Sequence, residues 1–441
     1  MSAVVEQAVG IETWPDADGL GDAAFPSRWI ALLVAALAIL ATYYETDVIG
    51  EIADLLIRQR GFTQGQIGSL NAAMYWPNVV LALVGGVLID RHGAARVALW
   101  TAAIGVVGAV MTAIGSPYWV MWLGRLIFGI AEGSIFIALV AGLALWFGRA
   151  GIALATGVFL SLARVGSFLC NTSSTWARPL YDAGWQSPLW LGAGMTVVGL
   201  AAAVVFAMLD ARRPVARVSA RAAPPPAGWA RLRFDAAFWY ILGLHVLYAA
   251  VFFPFRQTYA VEYFQHAKHL SLAAAGQVNS GVFAAAIFAT PLFGLVADRF
   301  GNRAMMLVFG TLLLPVTLAV LGLTNLSPWV STVLMGISWG LVPAVIWPAT
   351  TMIVPRAQLG TALGLITLIQ SLGIALSNLV AGALADAAGA GPLHPQGYDA
   401  VLLFFGAISL AALVSVVMLW RHETGPDGHG LERPADTGFS I

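Results

Sequence analysis

The chain has 441 residues, of which 59% are hydrophobic and only 10% are charged. A soluble globular domain carries roughly 25% charged residues, so this composition excludes an ordinary soluble protein and predicts a protein that lies in a lipid bilayer. The formal net charge is zero, which argues against nucleic acid as a partner, because nucleic-acid binding depends on excess positive charge.

The first half of the chain contains an acidic tail and six apolar spans. Residues 1–27 carry five acidic residues and lack the charged-then-apolar pattern of a cleaved signal peptide, so we expect the first span to be the first anchor. Each span has about 20 residues or more, enough to cross a hydrocarbon core of about 30 Å as a helix. We assign residues 28–210 to one lobe, with spans that begin near Trp29, Gln66, Ala94, Tyr118, Gly151 and Leu189.

A basic, proline-rich segment separates the two halves. Residues 211–234 contain six arginines and three consecutive prolines, which predicts a flexible linker. A second lobe over 235–421 precedes a tail over 422–441, and its spans begin near Phe238, Leu272, Ala304, Trp329, Leu359 and Val401. We therefore predict an all-α membrane protein with twelve transmembrane helices in two six-helix lobes.

The two halves carry the same motif, which indicates an internal duplication. The pattern Gly-x-x-x-Asp-Arg-x-Gly occurs at 86–93 and again at 294–301, each time between two apolar spans. A shift of about 207 residues also overlays three residues of the first half on three of the second: Gly157, Gly166 and Asn171 on Gly364, Gly373 and Asn378. Landmarks in the same order at nearly one offset predict two repeats.

The distribution of basic residues predicts the orientation. They concentrate in the even-numbered gaps between spans and are sparse in the odd-numbered gaps. Since basic loops stay on the cytoplasmic side, we expect both termini and the linker to face the cytoplasm. All but one of the 22 basic residues are arginine, a bias typical of a GC-rich bacterial genome, so we expect a bacterial inner membrane.

Ionisable residues inside spans are candidates for a binding site, because each costs a few kcal/mol at the bilayer centre unless it faces a cavity or a partner. At 1.5 Å per residue, Glu132 on the fourth span and Arg164 on the fifth both lie about 20 Å from the start of their spans. An acid and a base at matching depth suit a zwitterion, with Arg164 holding a carboxylate and Glu132 an ammonium group. The full set of such residues is Asp47, Arg125, Glu132, Arg164 and His245.

Each candidate also has a structural interpretation, and the sequence leaves both open. Glu132 and Arg164 could form a salt bridge that only fastens helices. Arg125 could gate, relay charge or neutralise Glu132, or it could be purely structural. Asp47 could receive a substrate amine or lie at a wet helix end, and His245 could sense protons or be a hydrogen-bonded core residue. Glu132, Asp47 and His245 are thus the candidates for proton coupling, and a uniporter remains the alternative.

Twelve spans in a six-plus-six repeat, with the motif between spans two and three and between spans eight and nine, resemble the major facilitator superfamily of secondary transporters. In that superfamily the motif's aspartate caps a neighbouring helix and its arginine pairs across the lobe interface, which latches the outward-open state. Arg125, in GRLIFGIAEG, resembles the superfamily's fourth-span arginine motif. The resemblance therefore implies gating or conformational roles for Arg125 and for the motif residues Gly86, Asp90, Arg91, Gly93, Asp298 and Arg299.

A closer resemblance, to the lysosomal dipeptide-transporter branch of that superfamily, is carried by YWPNVVLALVGGVLIDR (75–91), FGRAGIALATGVFLSLARVGS (147–167) and WPATTMIVPRAQLGTALGLITLIQSLG (347–373). Arg164 matches the substrate arginine of the branch. Trp347 and Gln370 match an aromatic wall and an amide that take peptide groups. The branch has its acid where this chain has Gly133, one residue or about 100° of helix rotation from Glu132.

Three asparagines inside spans could line the same cavity or could bond neighbouring helices, namely Asn171, Asn279 and Asn378. We predict a carrier of small zwitterions, and only the resemblance singles out dipeptides. The alternatives are a carrier of organic anions or drugs, and a non-transporting receptor or assembly subunit built on the same fold.

The sequence predicts no enzymatic activity. It contains no P-loop, nucleophile elbow or zinc-protease helix, so neither ATP-driven pumping nor hydrolysis has support. We expect no cofactor and no metal. The expected partners are a small-molecule substrate and the lipid bilayer, and the sequence leaves protein partners and oligomeric state open.

Overall fold

The computed structural model describes residues 25–212, 234–355 and 358–433, and these residues form helices joined by short loops. Most of the expected N-terminal tail and linker and the last eight residues lie outside the described ranges. The all-α expectation is confirmed. The helices are α1 (Phe25–Arg60), α2 (Gln64–His92), α3 (Ala94–Ile114), α4 (Tyr118–Asn171), α5 (Ser173–Trp176), α6 (Arg178–Asp182), α7 (Gln186–Ala211), α8 (Ala236–Pro254), α9 (Ala260–His266), α10 (Leu272–Phe300), α11 (Arg303–Leu323), α12 (Pro328–Ile353), α13 (Leu359–Ala387) and α14 (Tyr398–Glu423).

Eleven stretches of the described helices are long and apolar enough to cross a membrane. Two of them lie within α4, at Tyr118–Phe147 and Leu154–Asn171. The second predicted span corresponds to α2, in which the surroundings of residues 82–87 and 90 lie outside the described part of the chain. A π-helix over Phe255–Tyr259 joins α8 to α9 without a loop.

The chain reverses direction inside α4. The ring of Phe147 lies 5.3 Å from that of Trp29, near the start of α1. Arg125 and Asn171 instead contact α1 at Glu45 and Asp47, roughly 25 Å further along that helix at 1.5 Å per residue. The two spans of α4 therefore run antiparallel, as the sequence predicts for its fourth and fifth spans.

Equivalent glycines of the two repeats pack on equivalent helices. A Cβ added at Gly166 of α4 would lie 2.1 Å from the carbonyl oxygen of Leu40 on α1. A Cβ at Gly373 of α13 would lie 2.9 Å from Cγ1 of Val246 on α8. Small residues at such positions let helix backbones approach closely within a membrane, and the matching contacts support the duplication.

The chain divides into two compact units. Among the described residues, the first comprises those from 25 to 61 and from 69 to 212, and the second comprises Phe62–Gly68 and those from 234 onward. The predicted first lobe, 28–210, includes Phe62–Gly68, which the structure instead groups with the second unit. The reason is that the backbone N–H groups of Gln64 and Gly65 donate to the Asp386 carboxylate at 2.7 and 2.8 Å, which caps the start of α2.

The two units differ in how their cores are filled. Alanines make up much of the buried core of the first unit, where α1, α3, α4 and α7 meet. The second unit is filled by larger side chains, among them Phe238, Phe252 and Phe405.

Candidate functional site

Arg125 is completely buried and joins three helices of the first unit. Its guanidinium donates to the carbonyl oxygens of Glu45 and Thr46 on α1, each at 3.0 Å. It also donates to Oδ1 of Asn71 at 3.0 Å and to Sδ of Met74 at 3.4 Å, both on α2. With these bonds Arg125 fastens α1, α2 and α4 to one another.

Glu45 is a second buried ionisable residue in this unit, and it is not among the candidates predicted from the sequence. Its Oε1 lies 3.9 Å from Nη1 of Arg125, and both side chains are almost fully shielded. A Cβ at Gly192 would lie 2.2 Å from Oε2, so the carboxylate is pressed against α7. Among the described residues neither carboxylate oxygen accepts a hydrogen bond, which leaves the Arg125 charge as its main compensation.

Glu132 is half-buried on the first span of α4 and faces α2. Its Oε2 accepts a hydrogen bond from Nδ2 of Asn78 at 3.3 Å. A Cβ at the neighbouring Gly133 would lie 2.0 Å from Oδ1 of the same asparagine. Asn78 thus occupies the space beside Gly133 and orients the carboxylate at Glu132. Asn78 is not among the site residues predicted from the sequence, although it lies within the segment YWPNVV.

Arg164 lies on the second span of α4 and is also half-buried. Among the described residues the hydrogen bond of the Glu132 carboxylate goes to Asn78, and Glu132 and Arg164 form no ion pair. Glu132 and Arg164 therefore do not neutralise each other.

Asp47 is buried on α1, at 3% exposure. The amide of Asn171 lies 3.5 Å from its Oδ2 and donates a shorter bond, 2.7 Å, to the carbonyl oxygen of Ser167. The Asp47 side chain, on α1, is thus packed against the end of α4. Asp47 therefore does not lie at a solvent-exposed helix end.

His245 and Trp347 lie together in the second unit. Their ring centroids are 4.6 Å apart, and Nε2 of His245 is 3.2 Å from Oγ1 of Thr350. His245 is buried, whereas Trp347 is half-buried. Gln370 on α13 is half-buried as well. The indole is therefore partly exposed and packs against the buried imidazole.

Asn279 is buried and serves the main chain. Its Nδ2 donates to the carbonyl oxygen of Arg256 at 3.1 Å, inside the π-helix where the regular ladder of hydrogen bonds is interrupted. Asn378 holds two side chains of the same π-helix, since its Oδ1 accepts from the Thr258 hydroxyl at 2.6 Å and its backbone carbonyl oxygen accepts from the Tyr259 hydroxyl at 2.8 Å. Asn279 and Asn378 therefore both stabilise this irregular helix.

The two Gly-x-x-x-Asp-Arg-x-Gly motifs end in a turn that needs glycine. Gly93 and Gly301 have φ of 85° and 69°, a region that other residues rarely adopt. Arg91 and Arg299 are exposed. The surroundings of Gly86 and the side chain of Asp90 lie outside the described residues.

In the second motif, Asp298 accepts a hydrogen bond at 3.4 Å from Nη2 of Arg303. Arg303 is buried at the start of α11 and also donates to the carbonyl oxygen of Arg433 at 3.2 Å. Arg303 is not among the site residues predicted from the sequence. This motif is therefore tied to the segment that follows α14.

Comparisons with known proteins agree on one family. A sequence model of the Major Facilitator Superfamily matches residues 29–260 and 257–440. The lysosomal dipeptide transporter MFSD1 of Danio rerio is 28% identical over 429 residues, which cover 93% of this chain and 90% of that protein. The protein of the same name from Mus musculus is 30% identical over 364 residues, or 78% of this chain and 75% of that one.

Solved structures agree on the fold. A bacterial homologue of the human lysosomal transporter Spinster, in an inward-facing and occupied conformation, superposes with a TM-score of 0.66 at 16% identity. The match covers 90% of this chain and 96% of that one.

Proposed function

The chain belongs to the Major Facilitator Superfamily of membrane transporters, and we propose that it moves dipeptides and similar small zwitterions across the bilayer. It is a transporter and not an enzyme. Relatives that are 28–30% identical to it over most of its length are named as dipeptide transporters, which supports the proposed substrate class.

The observation that carries the proposal is the separation of Glu132 from Arg164. Both side chains are half-buried on the two antiparallel spans of α4, and neither neutralises the other. A salt bridge between Glu132 and Arg164 would have explained both charges by a purely structural role. An acid and a base that are not paired with each other suit a ligand that places a carboxylate at Arg164 and an ammonium group at Glu132.

Asn78 supports the same assignment by holding the acid in place. The branch resemblance puts its acid at the position of Gly133, where a side chain would collide with the Asn78 amide. In this chain that amide instead donates to Glu132. We propose that Glu132 supplies the branch's acidic group from the neighbouring position, with Asn78 correcting its direction.

The second unit supplies groups that suit the peptide bond. Trp347 presents a half-buried indole backed by His245, and Gln370 presents a half-buried amide. An aromatic wall and an amide accept peptide groups without demanding one particular side chain. Asn279 and Asp47 are weaker candidates, because both are buried and hold neighbouring groups.

The remaining features of the proposal concern the transport cycle. We propose twelve transmembrane helices with both termini cytoplasmic, residence in a bacterial inner membrane, and alternating access of the two lobes. The exposed arginines Arg91 and Arg299, with Asp90 and Asp298, would latch one state as the family resemblance implies. Proton coupling would run through Glu132, the acid that faces the proposed ligand.

The first test is ligand-induced thermal stabilisation of the purified protein, since a bound ligand raises stability by mass action. We expect free dipeptides to stabilise it, and dipeptides blocked at either end to lose the effect. Arg164→Ala and Glu132→Gln should each weaken dipeptide affinity about 10- to 100-fold, the equivalent of one hydrogen bond to a charged group. Arg178→Ala, which removes a side chain that is 77% exposed, is the matched control.

The outcomes separate the competing functions. Stabilisation by organic acids that lack an amine, abolished by Arg164→Ala but not by Glu132→Gln, would indicate a carrier of organic anions. Dipeptide binding without exchange of labelled substrate across proteoliposome membranes would indicate a receptor. Dipeptide affinity that neither substitution changes would refute the proposed site.

A further inference from the structure

The chain that follows α14 folds back onto its own lobe. Met305 N–H donates to Oε1 of Glu432 at 3.2 Å, and Arg303 N–H donates to the carbonyl oxygen of Leu431 at 3.0 Å. These bonds cap the start of α11. We call Thr424–Arg433 the return segment.

The return segment is anchored at its other end by Glu423, which is 5% exposed at the end of α14. Its Oε2 accepts the backbone N–H groups of His429 at 2.8 Å and Leu431 at 3.4 Å. Its Oε1 lies 2.8 Å from Nδ1 of His429 and 3.8 Å from Nδ1 of His422. One carboxylate oxygen is thus fixed by the backbone, and the other faces two imidazoles.

We propose that Oε1 of Glu423 and the Nδ1 atoms of His422 and His429 bind one Zn²⁺ ion. One ligand atom from each of these residues lies within 4.8 Å of the others. Tetrahedral Zn²⁺ with ligands at about 2.0–2.1 Å separates those ligands by about 3.3 Å. The separations of 2.8 and 3.8 Å from Oε1 lie on either side of that value, so shifts of about half an ångström bring each nitrogen to the required distance from Oε1.

Asp235 holds His429 in the way that a carboxylate holds a zinc-binding histidine. Its Nε2 lies 2.9 Å from Oδ2 of Asp235. A histidine that ligates a metal usually donates its other N–H to a carboxylate, which leaves the remaining nitrogen free for the metal. Oδ1 of Asp235 meanwhile caps α8 by accepting the N–H of Phe238 at 3.0 Å. The carboxylate is therefore held in position by the fold.

His422 supplies the second nitrogen. Its Nδ1 is shielded from solvent and, within the described residues, has no hydrogen-bond partner. The ring stacks on that of His429, with centroids 6.0 Å apart and planes inclined by 16°. The Nδ1 atom of His422 is buried and lies 3.8 Å from Oε1 of Glu423, which is beyond hydrogen-bond distance. A bound ion would give this nitrogen a partner.

Two imidazoles and a carboxylate are donors that suit Zn²⁺, with the fourth position left for water. Bound there, Zn²⁺ would tie the end of α14 to the return segment and, through Asp235, to the start of α8. The ion is structural in this proposal, and its ligands include neither Arg164 nor Glu132. The proposal is thus independent of the transported substrate.

The test uses the full chain, purified without a histidine tag and stripped of metal with a chelator. Equilibrium dialysis against Zn²⁺ should give one ion per chain. Asp235→Asn, whose amide still caps α8, should weaken Zn²⁺ binding about 10- to 100-fold, and His422→Ala and His429→Ala should weaken it further. His394→Ala removes an exposed histidine of the same lobe and should leave Zn²⁺ binding unchanged.

Hydrogen exchange gives a second readout. Zn²⁺ should slow exchange of the His429 and Leu431 amides in the unsubstituted chain and have no effect in His422→Ala, a change that leaves both contacts of His429 in place. The proposal is overturned if no ion binds, or if both histidine variants bind Zn²⁺ as tightly as the unsubstituted chain. It is also overturned if Zn²⁺ leaves the exchange of both amides unchanged, since the hydrogen bonds of His429 to Asp235 and Glu423 would then account for the geometry without an ion.

Discussion

The Asn78 amide lies between the Glu132 carboxylate and the Cα of Gly133. Its Nδ2 is 3.3 Å from Oε2 of Glu132, and a Cβ at Gly133 would lie 2.0 Å from its Oδ1. The direction of the acid proposed to hold the substrate amine therefore depends on a neighbour on another helix and on the absence of a side chain at the next position.

Gly133→Ala should disturb this arrangement. The added methyl group must displace the Asn78 amide, and overpacking of this kind costs about 1–3 kcal/mol. We expect dipeptide affinity, measured by thermal stabilisation, to fall about tenfold as the amide releases Glu132. In an Asn78→Ala background the methyl group has room, so Gly133→Ala should cause no further loss. Fully additive effects of the two substitutions would show that the contact is not coupled to the ligand.

Arg125→Ala should destabilise the first unit. It removes bonds to α1 and α2 and leaves Glu45 as a buried charge without compensation. Breaking a buried pair typically costs about 3–5 kcal/mol, and Arg125→Lys should recover little because an ammonium group lacks the planar fork. Unfolding in detergent would measure this.

Two matched variants identify the cause. Glu45→Gln, added to Arg125→Ala, should restore part of the stability by removing the uncompensated charge. Arg178→Ala at the surface should stay within about 0.5 kcal/mol of the unsubstituted chain. If Arg125→Ala unfolds like the unsubstituted chain yet abolishes transport, Arg125 gates the cycle and its role as a fastener is refuted.

Gly166→Ala and Gly157→Ala form a matched pair on the second span of α4. A methyl group at Gly166 would lie 2.1 Å from the Leu40 carbonyl oxygen, whereas one at Gly157 would meet no heavy atom within 4 Å. We expect Gly166→Ala to lower the unfolding midpoint, and Gly157→Ala to be neutral or stabilising by up to about 1 kcal/mol. Equal midpoints for the two variants would contradict the close packing of α4 on α1.

His245→Gln should leave the pH dependence of transport unchanged. The ring is buried against Trp347, and its Nε2 is bonded to the Thr350 hydroxyl, so glutamine can replace the bond and the stability should change by about 1 kcal/mol at most. Initial rates of dipeptide uptake over a series of pH values would check this. A flattened profile in the variant would make His245 a proton-coupling group.

Features that depend on composition and spacing could be predicted from the sequence. The helical class follows from apolar length, and the duplication follows from the offset that places Gly166 opposite Gly373. Those glycines pack on Leu40 and Val246, on helices related by the same repeat.

Contacts that depend on helix rotation and on a neighbouring helix could not be predicted. Glu45 and Asp47 are two residues apart, so their side chains point about 160° apart, and only the structure shows that Glu45 faces Arg125. Asn78 had no sequence signal as an acid-orienting residue, since its partner is 54 residues away. The cluster at His422 and His429 depends on a turn in the return segment, and spacing alone gave no expectation of a metal there.

Counterflow of labelled dipeptide into proteoliposomes loaded with unlabelled dipeptide tests the central claim most directly. We predict rapid uptake by the unsubstituted chain and competition by dipeptides with both ends free. Uptake should be lost in Arg164→Ala and Glu132→Gln, while Arg178→Ala remains active. Uptake that persists in both site variants, or that end-blocked dipeptides inhibit as well as free ones, would contradict it.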